Sequence, residues 1–128
     1  MEMKLELVMV PVTDVDRAKE FYLAVGFVAD QDQRVHESLR FVQMTPPGSA
    51  CSIAFGEGIT KMTPGSLDNL QLVVADVDAT HADLVGRSIE VSDVEDLAWG
   101  RFVRFADPDG NRWALQQLPE RMAGDATG

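Results

Sequence analysis

The segment Val12-Thr13-Asp14-Val15-Asp16 returns sixty-two residues later as Val74-Ala75-Asp76-Val77-Asp78. An internal repeat of that length commits the chain to two similar halves, each one supersecondary unit. Each half opens on a run suited to a pleated strand, Leu5 to Val12 and Leu70 to Val74, rich in β-branched and aliphatic residues. An aspartate follows. Asp14 and Asp76 stand where an N-cap belongs, since a short carboxylate accepts from the free amides of a first helical turn. Asp16 and Asp78 then add negative charge near the positive end of the helix dipole. In the first helix Ala18, Phe21, Tyr22 and Val25 form a buried stripe at i, i+3, i+4 and i+7, and Gly26 is the C-terminal stop. The second helix rests on Val77, Leu84 and Val85, with Ser88 at the place of Gly26.

After each helix comes a short apolar stretch, Phe27-Val28-Ala29 or Ile89-Glu90-Val91, and then a hairpin. The hairpin turns are Thr45-Pro46-Pro47-Gly48-Ser49 and Asp107-Pro108-Asp109-Gly110-Asn111, in which proline presets a turn φ and glycine is free to take a positive one. The order β, α, β, β, β, given twice, predicts an α+β fold with mixed sheets. A dimeric ferredoxin-like barrel is the competing architecture, but it does not call for two Pro-Gly turns at one phase of a repeat. With 128 residues the chain fits a single domain, its modules spanning about 5–58 and 67–118 with a short flexible C-terminal tail.

Alternation along the strands separates two faces. Val8, Val10 and Val12 share one side of the first strand and Leu7, Met9 and Pro11 the other. In the second copy Leu70, Leu72 and Val74 are uniformly apolar, whereas Asn69, Gln71 and Val73 are mixed. The apolar side is expected under the helices and the mixed side at a cavity, because small-molecule sites set a few polar groups on apolar walls. Pairing across the second turn puts Val103, Phe105, Trp113 and Leu115 under the helix, and Phe102, Arg104, Ala114 and Gln116 at the cavity. The offset of sixty-two carries Val42, Ser52 and Ala54 to the cavity side, and Cys51, Ile53 and Phe55 to the helix side. Arg40-Phe41-Val42 also matches Arg101-Phe102-Val103 at an offset of sixty-one, and a slip of one residue exchanges the faces.

Composition limits the partners. Eleven basic against twenty-one acidic residues give a net charge of -10, which repels nucleic-acid phosphates and anionic lipid. The acidic N-terminus lacks the basic region of a signal peptide, and no apolar run reaches the length of a membrane span. The single cysteine, Cys51, cannot close an internal disulfide, so a cytoplasmic location is expected.

Pro11-Val12-Thr13-Asp14-Val15-Asp16-Arg17-Ala18, followed by Phe21-Tyr22 and Gly26-Phe27, together with the Asp107–Asn111 turn, resembles the vicinal-oxygen-chelate superfamily. That superfamily includes glyoxalases, bleomycin-resistance proteins, fosfomycin-resistance enzymes and extradiol dioxygenases, and the resemblance covers residues 5 to 118. It implies paired βαβββ modules in an open, cup-shaped sheet with the helices outside, often in dimers. It also implies metal ligands at four positions, which here read Leu7, Ser52, Asn69 and Ala114. None is His, Asp or Glu, so neither a metal nor another cofactor is expected.

The expected function is binding of a small organic molecule by a homodimer, since an open cup leaves apolar surface that a lone chain exposes. The ligand-binding set is Leu7, Met9, Val42, Ser52, Ala54, Asn69, Gln71, Trp99, Phe102, Arg104, Ala114 and Gln116. Trp99 precedes a strand and is suited to stack on a flat ligand. The alternative is a glyoxalase- or dioxygenase-like enzyme using a non-standard metal or acid–base site such as His36 with Glu57. His81 and Glu37 read as surface residues.

Overall fold

A computed structural model of the chain describes residues 1–120. The order of elements is β1 (Leu7–Met9), α1 (Val15–Val25), β2 (Val28–His36), β3 (Leu39–Thr45) and β4 (Ser52–Glu57), then β5 (Asp68–Val73), α2 (Val77–Gly86), β6 (Glu95–Leu97), β7 (Gly100–Ala106) and β8 (Arg112–Gln117). Two four-stranded mixed sheets result, ordered β1-β4-β3-β2 and β5-β8-β7-β6, and neither closes into a barrel. The fold is α+β with two βαβββ modules. Most of the expected C-terminal tail lies outside the described residues.

Two compact units divide the chain. The first comprises Met1–Leu67 with Asp107–Asn111, and the second holds Asp68–Ala106 and, among the described residues, 112–120. The turn between β7 and β8 thus belongs to the first unit. Its side chains explain why. Asn111 is fully buried; its Nδ2 donates to Pro11 O and to Asp107 Oδ2, both at 2.8 Å, and its Oδ1 accepts from Leu67 N at 3.2 Å. Asp107 Oδ2 also accepts from the Tyr22 hydroxyl at 2.8 Å, while its Oδ1 takes the amides of Asp109 and Asn111. Asp109 adds a clamp on Thr13, holding its hydroxyl at 2.7 Å and its amide at 3.2 Å. Gly65 runs so close that a Cβ there would lie 2.1 Å from Asp109 O.

Both helices start as their sequence directs, with Asp14 accepting from Arg17 N and Asp76 from Ala79 N. They stop differently. Gly26 ends α1 in the left-handed region at φ 117°, and Ser88, its counterpart, takes a positive φ of 62° without glycine's freedom. The α1 stripe buries Ala18 and Tyr22, with Tyr22 against Phe27 and Phe55. In α2 Val77 and Leu84 are buried but Val85 is exposed, which corrects the expected stripe. Val77 and Leu84 lie seven residues apart, two helical turns, and Val85 is rotated 100° further round.

Candidate functional site

In the first unit the face under α1 carries Val8, Val10, Val42, Met44, Ile53 and Phe55, because Val42 pairs with Phe55 and Met44 with Ile53. The helix-free face carries Leu7, Met9, Phe41, Gln43, Thr45, Ser52 and Ala54: Leu7 pairs with Ser52, Met9 with Ala54, and Gln43 with Ala54. Ser52 and Ala54 stand where sequence alternation put them. Val42 does not, and its assignment is corrected: it is fully buried on the helix face.

The physical reason is loop length. Arg40 binds Asp16 at 2.9 Å and Arg101 binds Asp78 at 2.8 Å, so these arginines correspond, sixty-one residues apart. Between the corresponding pairs of the two hairpins, Met44 with Ile53 and Phe105 with Trp113, the first connection is one residue longer. β4 and β8 therefore correspond at sixty. The counterpart of Ala114 is Ala54 rather than Ser52, and Met9 opposite Ala54 matches Gln71 opposite Ala114. Phe41, Gln43 and Thr45 were missed for the same reason, and the offset of sixty-one at Arg40-Phe41-Val42 was the signal that marks them.

Polar groups on this face are linked. A register shift between Ala29 and Gln31 leaves Asp30 as an extra residue on β2, a bulge that re-aims a side chain. Its carboxylate accepts from Thr45 Oγ1, which lies 2.6 Å from Ser52 Oγ. Gln31 Nε2 donates to Gln43 Oε1 at 3.0 Å. The sequence gives no sign of Asp30 or Gln31, since a bulge breaks the alternation used to find them.

In the second unit Leu70, Leu72, Val103, Phe105, Trp113 and Leu115 share the helix side, where Phe105 stacks on Trp113. Gln71, Phe102, Arg104, Ala114 and Gln116 share the other. Asn69 falls at a register shift and has no pairing partner on β8. Arg104 spans the Phe102 ring, 5.1 Å from its centroid, and donates to Glu95 at 3.0 Å. Gln116 Nε2 donates to Trp99 O at 2.8 Å, tying down the tight turn between β6 and β7 from which the Trp99 side chain stands exposed.

The alternative acid–base pair fares differently. Arg34 holds Glu57 through two hydrogen bonds, at 3.0 and 3.2 Å, and that contact lowers the Glu57 pKa below the usual carboxylate range. His36 is exposed and its Nδ1 engages Ser38. The Arg34 contact moves Glu57 away from the pKa near neutrality that suits a general acid or base. Among the described residues no three or more His, Cys, Asp or Glu side chains converge, and no helix is long and apolar enough to cross a membrane.

The family model of the Glyoxalase/Bleomycin resistance protein/Dioxygenase superfamily matches residues 4–115. The chain belongs to this superfamily. Among solved structures it is similar to TnmS3, an antibiotic binding protein from Streptomyces sp. CB03234, at 38% identity and TM-score 0.82, covering 92% of this chain and 98% of that one. A glyoxalase/bleomycin resistance protein from the same Streptomyces strain is 39% identical at TM-score 0.77, with 89% and 100% covered. A superfamily member from Sphaerobacter thermophilus DSM 20745 is 27% identical at TM-score 0.78, with 91% and 98% covered. No curated protein matches.

Proposed function

We propose that this superfamily member is a small-molecule-binding protein, of the antibiotic-binding kind, that works without a metal and as a homodimer. The observation that carries the reading is the 38% identity to an antibiotic binding protein over 92% of the chain. The chemistry of the face agrees with it. At the superfamily's ligand positions, with Ala54 in place of Ser52 by the observed register, Leu7, Ala54 and Ala114 offer no donor atom, and Asn69 is a neutral amide. A divalent cation needs several converging donors, and this set does not fit one. In the first unit polar groups are set among Leu7, Met9, Phe41 and Ala54, and in the second Gln71, Arg104 and Gln116 share a face with Phe102 and Ala114; each face by itself suits contact with an organic molecule that has an apolar body. A cytoplasmic location is part of the same reading.

The test is a thermal-shift screen against antibiotics, bleomycin included. A ligand at about a hundred times its Kd adds ~2.7 kcal/mol of stability, a rise in Tm that is easily read. Absence of any hit, together with a dialysis-resistant equivalent of Zn, Ni, Mn or Fe, overturns the proposal in favour of a metal enzyme. Light scattering that finds a monomer at micromolar concentration overturns the dimer.

A further inference from the structure

On the helix-free face of the first sheet three oxygens lie in a row, and their protons can be arranged in only one way. Thr45 Oγ1 donates to Asp30 Oδ2 and lies 2.6 Å from Ser52 Oγ. A carboxylate accepts only, so the one hydroxyl proton of Thr45 is directed to Asp30. At its other contact Thr45 must accept, and Ser52 supplies the proton. Ser52 is left with lone pairs alone. At the opposite end, Asp30 Oδ1 has no hydrogen-bond partner among the described residues, so both ends of the row present acceptors.

The surroundings sharpen the polarity. Asp30 is exposed, Thr45 half-buried, and Ser52 6% exposed, so the row leads from solvent into the sheet. Leu7 is the registered neighbour of Ser52, and Met9 and Phe41 share the face. The cations of the sheet are turned away: Arg40 reaches Asp16 and Asp32, and Arg34 reaches Glu57. A ligand acceptor brought to this row meets lone pair against lone pair and loses its water without replacement.

We propose that the row makes the face select an apolar organic molecule bearing an O–H or N–H donor, and reject its capped isostere. This deepens the small-molecule reading and rests on it. Asp30 sets the selectivity through Thr45 as a positioning residue, and Ser52 and Asp30 Oδ1 make the contacts.

The experiment titrates 2-naphthol against 2-methoxynaphthalene, and indole against 1-methylindole, into the full chain, reading amide shifts of Asp30, Thr45 and Ser52 by NMR. A hydrogen bond to a charged or charge-polarised acceptor predicts about tenfold tighter binding of the donor-bearing member. A preference shown by 2-naphthol alone assigns the row to hydroxyls; one shown by both pairs assigns it to donors generally. Asp30→Asn is the decisive variant: its amide can donate to Thr45, letting the row run the other way, so the preference is expected to vanish or invert while the fold holds. Thr45→Val, close to isosteric, is expected to erase the preference as well. Equal binding within both pairs overturns the donor rule and leaves small-molecule binding standing, as does a preference unchanged in Asp30→Asn. Failure of all four probes to move these amides at millimolar concentration also overturns it, and the antibiotic screen judges the broader reading separately.

Discussion

The two hairpin turns occupy the same phase of the repeat and do different work. Past Thr45, whose hydroxyl reaches Asp30, the bonds of Pro46-Pro47-Gly48-Ser49 are local: Ser49 N donates to Pro46 O, and the Ser49 hydroxyl and Cys51 backbone bind each other. The turn at Asp107–Asn111 instead holds Pro11, Thr13, Tyr22 and Leu67, from across the first unit. Turn chemistry alone makes a chain reverse. Burying the turn's polar side chains against distant backbone makes it a structural centre, because each buried group is then costly to orphan.

The sharpest way to break this contrast is Asn111→Ala. It removes bonds to Pro11, Asp107 and Leu67 and leaves buried partners unmatched, at ~1–3 kcal/mol each before relaxation. The expected loss is about 3 kcal/mol or more in a denaturant titration. Ser49→Ala, at the matching turn, should cost no more than about 1 kcal/mol. Comparable losses in the two variants would show that the second turn is as local as the first.

A smaller effect isolates one arm of the centre. Tyr22→Phe keeps the ring against Phe27 and Phe55 and deletes the 2.8 Å bond to Asp107. Because Asp107 Oδ2 retains Asn111 Nδ2 as a donor, the cost should be ~1–2 kcal/mol. A change below a few tenths, in the same titration, would mean that the carboxylate is fully served by the turn itself.

Much of the fold was legible because its signals are local. Asp14, Asp76 and Gly26 act on backbone within four residues, and their roles follow from the residues alone. The helix side of the second unit was legible too, since the Asp107–Asn111 turn fixes the register of Phe105 with Trp113. Val42 was misplaced because the first loop is one residue longer than the second, a difference that flips a strand without disturbing its composition. The long-range role of Asp107 and Asn111 was not legible at all. Their partners Tyr22 and Pro11 are 85 and 100 residues away, and nothing in a turn motif names a partner at that range. Asp30 was hidden by its bulge.

The same two-copy comparison extends to charge. Arg40 joins Asp16 and Asp32 with its side chain only 14% exposed, whereas Arg101 joins Asp78 and Asp96 at 37%. The Arg40 hydrogen bond, with help from Lys19, holds the Asp32 carboxyl well below its ordinary range. Arg101 lowers that of Asp78. A carboxyl depressed in the folded state gives stability that is present above its unfolded pKa of ~3.9 and is lost as pH falls toward the folded value. Denaturant midpoints at pH 5 and pH 3 should therefore converge more in Asp32→Asn than in Asp78→Asn, with Asp32 contributing on the order of 1 kcal/mol. A larger effect at Asp78 would reverse the ranking of the two clusters.

The smallest expected effect has the opposite sign. Gly26 and Ser88 end corresponding helices, and both sit at positive φ, 117° and 62°. For an L-residue the left-handed region brings Cβ against the following carbonyl, at roughly 1–2 kcal/mol, which glycine avoids. Part of that gain is returned, because glycine gives the unfolded chain more conformations to lose on folding. The Ser88 side chain is exposed, so little packing is forfeited. Ser88→Gly should stabilise the protein by about 0.5–1 kcal/mol, and Gly26→Ser should destabilise it by a similar amount. Opposite signs at these two positions, read as shifts in Tm, would show that the second copy carries at its helix stop a strain the first has shed. A destabilising Ser88→Gly would show that the serine contributes more there than its backbone angle costs.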